Sequence, residues 1–239
     1  MRDDRPLPIV LVHGAWHGGW CWERVAPLLR AAGHPVYSPT LTGLAERAHL
    51  LTREIGLETH IADIVTLLEA HDMRRVILTG HSYGGMVISG AAAALPERIE
   101  RLVYLDAFVP RAGDSVMTLL PAQRATHYAE TAAGDGEGWR IPPPSPPGLG
   151  VTAPNDAAWL QERLTDHPLL TFTQPMPKDP PSPAEVMSRY LRCQPGSPSF
   201  ETVAARLQGD PAWEYYELAT GHDAMITKPE ELAALIRSQ

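Results

Sequence analysis

Apolar residues along this chain form short continuous runs, and these runs alternate with longer segments in which apolar residues follow a helical spacing. Six such runs occupy residues 7–12, 35–38, 75–79, 101–108, 189–193 and 213–218. Short apolar runs with β-branched residues are typical of parallel strands that are buried on both faces. Between the first two runs, Val25, Leu28, Leu29 and Ala32 recur at helical intervals, which predicts a helix over residues 20–32. Strands that alternate with helices predict an α/β fold with an open, mainly parallel sheet of about six strands.

The alternation stops between residues 111 and 185, where 13 of the chain's 24 prolines fall. Proline cannot donate to a strand ladder, so this segment cannot supply central strands. A structureless loop of that length is uncommon inside a compact domain. We therefore expect residues 111–185 to form a cap over the carboxyl edge of a core made of residues 1–110 and 186–239. The large apolar residues that we expect to line a pocket beneath it are Trp16, Trp139, Trp159 and Phe172. The alternative for those within the cap is that they only pack this segment onto the core.

The segment Gly80-His81-Ser82-Tyr83-Gly84 lies between an apolar run and a helical pattern of small residues. A G-x-S-x-G motif between a strand and a helix is typical of a nucleophile elbow. The turn is so sharp that the serine backbone is strained, and side chains at positions 80 and 84 would collide. The Tyr83 N–H then lies at the start of a helix, where developing negative charge is favoured. Such motifs also occur by chance, so the rest of the chain must supply a base and an acid.

A serine hydroxyl needs a base to become a nucleophile, and the base needs a group that orients it. Of the ten histidines, His222 follows the last predicted strand in a glycine-containing loop. That loop lies at the carboxyl edge of the sheet, where open α/β sheets place their chemistry. His13 and His17 have the spacing of a metal-binding pair on a helix, but the glycines around them indicate a loop, and we expect no metal. His81 lies inside the elbow and is interpreted as structural.

The orienting acid has two usual positions in such an arrangement. The turn after the penultimate strand, residues 194–199, contains no carboxylate. Asp106 follows the apolar run after the elbow helix, and a buried charge there is costly unless it is engaged. Asp106 is therefore the predicted acid, with hydrogen bonding to local backbone as its alternative role and with Asp210 and Asp223 as rivals. The resulting chain order of serine, acid and histidine is the one that this architecture requires.

Three blocks of sequence carry a resemblance to a known family: residues 12–20, 80–86 and 221–226. In them the chain resembles the α/β-hydrolase fold, and more narrowly the branch that holds plant methylesterases, hydroxynitrile lyases and bacterial carboxylesterases, including pyrethroid-degrading ones. The resemblance implies that Ser82 is the nucleophile and His222 the base. It also implies an oxyanion hole formed by the N–H groups of Ala15 and Tyr83, to which Gly14 gives the backbone close access.

The chain departs from the pattern of this branch in two places. The plant members carry the acid after the penultimate strand, whereas Asp106 matches the position used by haloalkane dehalogenase-like and some lactonase-like relatives. The hydroxynitrile lyases have a lysine after the catalytic histidine and a threonine in the first loop. This chain has Asp223 and Gly14-Ala15 at those positions, so it lacks the residues that handle cyanide.

The leading interpretation is a serine esterase that cleaves a small hydrophobic ester through an acyl-enzyme, with no cofactor. A lactonase or an acyl-transferring thioesterase would use the same residues, and analysis of the products would separate them. A protein that binds a small molecule without turnover is the alternative from another class, and the complete set of catalytic residues argues against it. Epoxide hydrolase and dehalogenase chemistry needs a carboxylate nucleophile where this chain has Ser82.

Composition excludes some classes of partner and favours one cellular compartment. The net charge of -8 argues against nucleic acid or an anionic membrane surface as a partner. Cys21 and Cys193 lie far apart and form no C-x-x-C motif, which favours a reducing cytoplasm. Residues 1–5 lead into only about six apolar positions, a strand rather than a signal peptide, and no apolar run is long enough to span a membrane. A homodimer is left open.

Overall fold

A computed structural model describes residues 6–238, and a six-stranded sheet forms its centre. The strands, in chain order, are β1 (Ile9–Val12), β2 (Val36–Tyr37), β3 (Val76–His81), β4 (Ile99–Leu105), β5 (Arg140–Ile141), β6 (His167–Pro168), β7 (Met187–Cys193) and β8 (Trp213–Leu218). The large sheet has the order β2-β1-β3-β4-β7-β8, and every neighbouring pair in it is parallel. The predicted open parallel sheet is confirmed. The interpretation of residues 1–5 lies outside the described residues.

Helices cover both faces of this sheet. The helices of the described chain, in order, are α1 (Ala26–Ala31), α2 (Leu57–Ala70), α3 (Gly84–Ala94), α4 (Val116–Leu119), α5 (Ala122–Ala133), α6 (Pro154–Gln161), α7 (Leu170–Thr173), α8 (Glu201–Leu207), α9 (Ala224–Thr227) and α10 (Pro229–Arg237). Alternate residues of a strand face opposite sides. In β1, Val10 and Val12 pack in the core shared with α2, α3 and α8, whereas Ile9 and Leu11 pack in the core shared with α1 and α10. This two-sided burial explains why the strands read as continuous apolar runs.

Two element boundaries differ from the sequence pattern. The helix expected at residues 20–32 is divided into a 3-10 turn at Gly19–Trp22 and α1, because Pro27 lacks an N–H and suits the first turn of a helix. The strand expected at 101–108 ends at Leu105, since Asp106 adopts a positive φ of 40° and turns the chain out of the sheet. The second difference matters most, because it directs the Asp106 side chain.

Residues 111–185 contain α4 to α7 and a small antiparallel pair formed by β5 and β6. Several of its side chains, among them Val116 and Phe172, line the pocket that contains Ser82. The division into a core and a cap at residues 111 and 185 stays a prediction. Within residues 6–238, no helix combines the length and the apolar character needed to cross a membrane.

Candidate active site

Ser82 lies at a sharp turn between β3 and α3. Its φ is +54°, a left-handed backbone conformation that residues other than glycine rarely adopt. A Cβ added at Gly80 would lie 2.6 Å from the Gly84 carbonyl oxygen, and one at Gly84 would lie 2.8 Å from the carbonyl oxygen of Val12. Both distances are too short for real Cβ atoms, so both glycines are needed for this turn. Side chains at positions 80 and 84 would therefore collide with the backbone, as the motif predicts. The Ser82 residue is partly exposed.

His222 follows β8 and is joined to Asp106 by a short hydrogen bond. The distance from His222 Nδ1 to Asp106 Oδ2 is 2.7 Å, and the two residues are 7% and 0% exposed. A carboxylate only accepts hydrogen bonds, so Nδ1 carries the proton and Nε2 is left to take another. The Phe200 ring stacks on the imidazole with centroids 5.3 Å apart and limits its rotation.

The Asp106 carboxylate has a second, cationic partner that the sequence analysis missed. Arg192 Nη1 donates to Asp106 Oδ1 at 2.5 Å, and the Ser197 N–H donates to Oδ2 at 3.3 Å. Arg192 is only 3% exposed. Burial lowers the pKa of Arg192, but the Asp106 carboxylate outweighs it and holds that pKa above its ordinary value. The signal was present in the sequence, because Arg192 is a charged residue at the end of an apolar strand. In the sheet, Leu191 pairs with Leu105, directly before Asp106.

The residues predicted to supply the oxyanion hole lie beside the serine. Ala15 and Tyr83 line the same pocket as Ser82. A Cβ at Gly14 would lie 3.0 Å from the Cβ of Ser82, so glycine permits the close approach of this loop. Among the hydrogen bonds of residues 6–238, none uses the N–H of Ala15 or Tyr83, whereas the next N–H, of Trp16, donates to His167 Nδ1 at 3.3 Å. Two backbone donors are thus available next to Ser82.

Ser82 and His222 line one pocket, but within the described part of the chain no hydrogen bond joins their side chains. Such contacts are often long in structures without substrate and shorten when it binds.

A buried ion pair ties the first loop to the histidine loop. His17 Nδ1 donates to the Ala15 carbonyl at 2.7 Å, and His17 Nε2 donates to Asp223 Oδ2 at 3.2 Å. Both partners only accept hydrogen bonds, so both ring nitrogens carry protons and His17 is an imidazolium. Burial lowers the pKa of His17, but Asp223 outweighs it, and the pKa lies above its ordinary value.

The other histidines of this region have protein partners of their own. His13 Nδ1 donates to the Gly14 carbonyl at 2.8 Å, and His13 Nε2 accepts from the Leu41 N–H at 3.0 Å, so His13 is neutral. Burial lowers the pKa of His13 to about 3. His81 Nε2 donates to the His222 carbonyl at 3.1 Å. Ligand atoms of His81, His222 and Asp223 lie within 4.8 Å of one another. One atom of each residue is bonded to another protein group, whereas His81 Nδ1 and Asp223 Oδ1 have no hydrogen-bond partner within residues 6–238. The expectation that the site holds no metal stays a prediction.

A second polar network, also missed from the sequence, supports the pocket wall. The Tyr83 hydroxyl donates to His60 Nδ1 at 2.9 Å, and His60 Nε2 donates to the Thr42 carbonyl. Burial lowers the pKa of His60 to about 4 and holds the pKa of His167 well below its ordinary value. These neutral histidines hold Tyr83 and the loop of Trp16 in place.

The pocket beside Ser82 has mainly apolar and aromatic walls. Trp16 and Phe172 line it, and their rings are 6.1 Å apart. Trp139 and Trp159 are not among its lining residues. The Trp139 ring lies against the guanidinium groups of Arg53 and Arg140, and the Trp159 ring packs on Trp20. The structure therefore brings together two of the four aromatic residues expected here.

Comparison with known proteins identifies relatives for nearly the whole chain. Residues 9–235 match the profile of a family described as the alpha/beta hydrolase family. Over 231 residues the chain is 40% identical to the carbendazim hydrolyzing esterase of Nocardioides sp. (strain SG-4G). The alignment covers 94% of this chain and 96% of that protein. Over 114 residues it is 39% identical to methylesterase 1 of Arabidopsis thaliana. This alignment covers 46% of this chain and 42% of the methylesterase.

Solved structures agree with this result. An extracellular alpha/beta-hydrolase from a Paenibacillus species is 24% identical, with a TM-score of 0.81 over 97% of this chain and 98% of that one. A pyrethroid hydrolase from Sphingobium faniae JZ-2 is 25% identical, with a TM-score of 0.71 over 96% of this chain and 95% of that one. These likenesses confirm the expected fold and the resemblance to methylesterases and bacterial esterases.

Proposed function

The chain belongs to the alpha/beta hydrolase family, and we propose that it hydrolyses carboxylic esters through an acyl-enzyme formed on Ser82. The observation that carries this proposal is a partly exposed serine at a strained turn, in one pocket with a histidine whose Nδ1 is bonded to a buried carboxylate. The names of the relatives support ester hydrolysis, since the protein that is 40% identical over most of the chain is called a carbendazim hydrolyzing esterase.

The first half of the reaction acylates Ser82. Its Oγ attacks the ester carbonyl carbon while His222 Nε2 takes the hydroxyl proton. The tetrahedral oxyanion accepts hydrogen bonds from the N–H groups of Ala15 and Tyr83, and each such donor is typically worth about 10²–10³ in rate. When the intermediate collapses, the bond to the alcohol oxygen breaks, and His222 gives its proton to the departing alcohol.

The second half repeats these steps with water. His222 Nε2 takes a proton from a water molecule, whose oxygen attacks the acyl carbon. Collapse of the second oxyanion breaks the bond to Ser82 Oγ, which recovers its proton from His222, and the carboxylic acid leaves. In both halves Asp106 fixes the tautomer of His222 and stabilises the imidazolium. Arg192 keeps the Asp106 carboxylate in position through its 2.5 Å hydrogen bond.

The pocket supports a small substrate with an apolar portion. Its mainly apolar and aromatic lining is typical of sites that bind small molecules. Trp16, Phe108, Phe172 and Phe200 supply aromatic wall area around Ser82.

The proposal is tested with an organophosphonate probe, which labels a base-activated serine. We expect one adduct per chain, located on Ser82 by mass spectrometry. Ser82→Ala should abolish the label and lower ester turnover by about 10³ or more. Ser199→Ala is the matched control, because Ser199 lines the same pocket and should keep both label and turnover. An adduct on another residue, or none, would contradict the proposal.

We also propose a cytoplasmic location. Cys21 and Cys193 are both buried free thiols, which supports a reducing compartment. Fractionation of the producing cells tests this, and recovery of the enzyme outside the cytoplasm would overturn it.

A further inference from the structure

Arg124 stands apart from the other residues that line the pocket. It lies on α5 and is partly buried. The rest of the lining consists of apolar residues, aromatic residues, serines and His222. Among the described residues that line this pocket, Arg124 is the one with a permanent charge. A charged side chain in a mainly apolar pocket indicates a specific partner, because removing a charge from water is costly unless another group engages it.

Within residues 6–238, no carboxylate forms an ion pair with Arg124. Its guanidinium lies 5.8 Å from the centre of the Tyr128 ring, which also lines the pocket. Two other arginines of the same segment differ in this respect. Arg140 pairs with Glu137 and Asp166, and Arg163 pairs with Glu162. Arg124 is thus held against a ring but keeps its hydrogen-bond donors for another group.

The chemistry of the Arg124 guanidinium indicates which kind of substrate group it would bind. Arginine presents planar, paired N–H donors that match a carboxylate, and such charge-assisted bonds are the stronger ones in proteins. A substrate that fills the pocket would displace water from Arg124. A neutral, apolar substrate would leave the cation without a partner, whereas an anionic group would replace the lost water contacts. The protein's overall charge of -8 repels anions at long range, so any preference for them must come from a local group of this kind.

We propose that the substrate is an ester that also carries a carboxylate or similar anionic group, and that Arg124 binds this group while Ser82 attacks the ester. This inference rests on the proposed ester hydrolysis and adds a substrate class to it. It makes Arg124 a residue that determines specificity and gives it no part in bond cleavage.

The test uses pairs of substrates that differ only in charge. One member of each pair is the 4-nitrophenyl monoester of adipate, suberate or sebacate, whose far end is a free carboxylate. The other is the same compound with that carboxylate converted to a primary amide. The three chain lengths sample the unknown spacing between Ser82 and Arg124. Release of 4-nitrophenolate gives kcat and KM for the wild type, for Arg124→Gln and for Arg124→Lys.

For at least one chain length we expect kcat/KM of the wild type to favour the carboxylate by about tenfold or more, the size of one charge-assisted hydrogen bond. Arg124→Gln should remove this preference, mainly through KM, and should lower kcat/KM much less for the amide substrates than for the carboxylates. Arg124→Lys should keep part of it. Arg53→Gln is the matched control, because the exposed Arg53 lies against Trp139 outside the pocket and should keep the full preference.

Two results would overturn the inference while the proposed esterase function stands. One is equal kcat/KM for charged and amide esters at all three lengths in the wild type. The other is an equal loss on both substrates in Arg124→Gln. If the wild type hydrolysed none of the six compounds and no other activated ester, the proposed function itself would fail.

Discussion

Two buried aspartates lie close to His222, one bonded to its ring and one next to it in sequence, and they engage different partners. Asp106 follows β4 and bonds to the His222 ring and to Arg192. Asp223 adjoins His222 in sequence, yet its carboxylate bonds to His17 at 3.2 Å and lies 3.6 Å from His81 Nε2. Both aspartates are 0% exposed.

The difference shows that closeness along the chain does not decide which carboxylate orients an imidazole. Each aspartate has a cation beside it, Arg192 or the protonated His17, as a buried charge requires. Only Asp106 reaches Nδ1 of His222. Asp223 instead links the loop that carries Ala15 to the loop that carries His222. In the proposed mechanism the first arrangement serves proton transfer, whereas the second holds two parts of the site together.

Asp106→Asn should have the largest effect on turnover. The amide keeps the shape but favours the wrong tautomer of His222, and the same change in a serine protease costs about 10⁴ in kcat. Steady-state kinetics with one activated ester measure the loss. The exposed Asp210 bonds to the Ala212 N–H, and Asp210→Asn should stay near the wild type.

Asp106→Asn also leaves Arg192 buried without its anion, so folding must be checked separately. The double variant Asp106→Asn/Arg192→Met removes both charges. It should fold, as followed by circular dichroism, and be as inactive as the single variant. If Asp106→Asn kept more than about a tenth of wild-type turnover while Asp223→Asn collapsed, the two aspartates would have exchanged roles.

Asp223→Asn should cost less activity and more stability. It leaves the His17 imidazolium buried without an anion, and breaking a buried pair in this way costs roughly 3 kcal/mol or more. Activity should fall about 10- to 100-fold, because the loop of Ala15 loses its tie to the loop of His222. Urea unfolding and kinetics measure the two effects.

A double-mutant cycle with His17→Gln separates the pair from its surroundings. A coupling free energy above about 0.5 kcal/mol indicates that the two side chains interact directly. Additive effects would contradict a stabilising pair.

The free energy of unfolding should decline at both acid and alkaline pH, and the two declines should have different origins. His13, His60, His81 and His167 have pKa values lowered by burial, to about 3 for His13 and about 4 for His60. The unfolded chain therefore binds more protons below about pH 6.5, and the free energy of unfolding should fall as the pH falls.

His17 acts in the opposite sense. Its pKa is raised in the folded protein, so its contribution is complete below about pH 6.5 and is lost as the pH rises through the raised value. Urea unfolding across the pH range measures both declines. His17→Gln should remove the decline that begins just above about pH 6.5 and keep the acid decline. The buried thiols and the Tyr104 phenol, whose pKa values are also raised, should give both proteins a further decline at higher pH. An unchanged decline just above about pH 6.5 would argue that the His17–Asp223 pair is not ionised.

The parts of the site that depend on local sterics could be predicted from the sequence. The elbow needs glycine at positions 80 and 84 because the turn itself brings backbone atoms to 2.6–2.8 Å from where a Cβ would lie. The contact of Asp106 with His222 could be predicted from the place of Asp106 after an apolar run and from the lack of a carboxylate at residues 194–199, whereas its role as the acid stays a prediction. Each of these signals lies within a few neighbouring residues.

The parts that depend on long-range packing could not be predicted. Arg192 reaches Asp106 only through the register of β4 against β7, across 86 residues of chain. The pair of His17 and Asp223 joins residues 206 positions apart. In the segment 111–185, composition did not separate Phe172, which lines the pocket, from the two tryptophans that pack elsewhere. That choice depends on how the segment folds over the sheet.

The most direct test of the account is to trap the acyl-enzyme. The wild type is mixed with a 4-nitrophenyl ester of a bulky, slowly hydrolysed acid, quenched in acid within the first turnover, digested and analysed by mass spectrometry. We expect one acyl group per chain, on the peptide that contains Ser82, formed as fast as 4-nitrophenolate is released and lost as the free acid appears. An acyl group on another residue, or rapid release of 4-nitrophenolate by Ser82→Ala at the wild-type rate, would contradict the account.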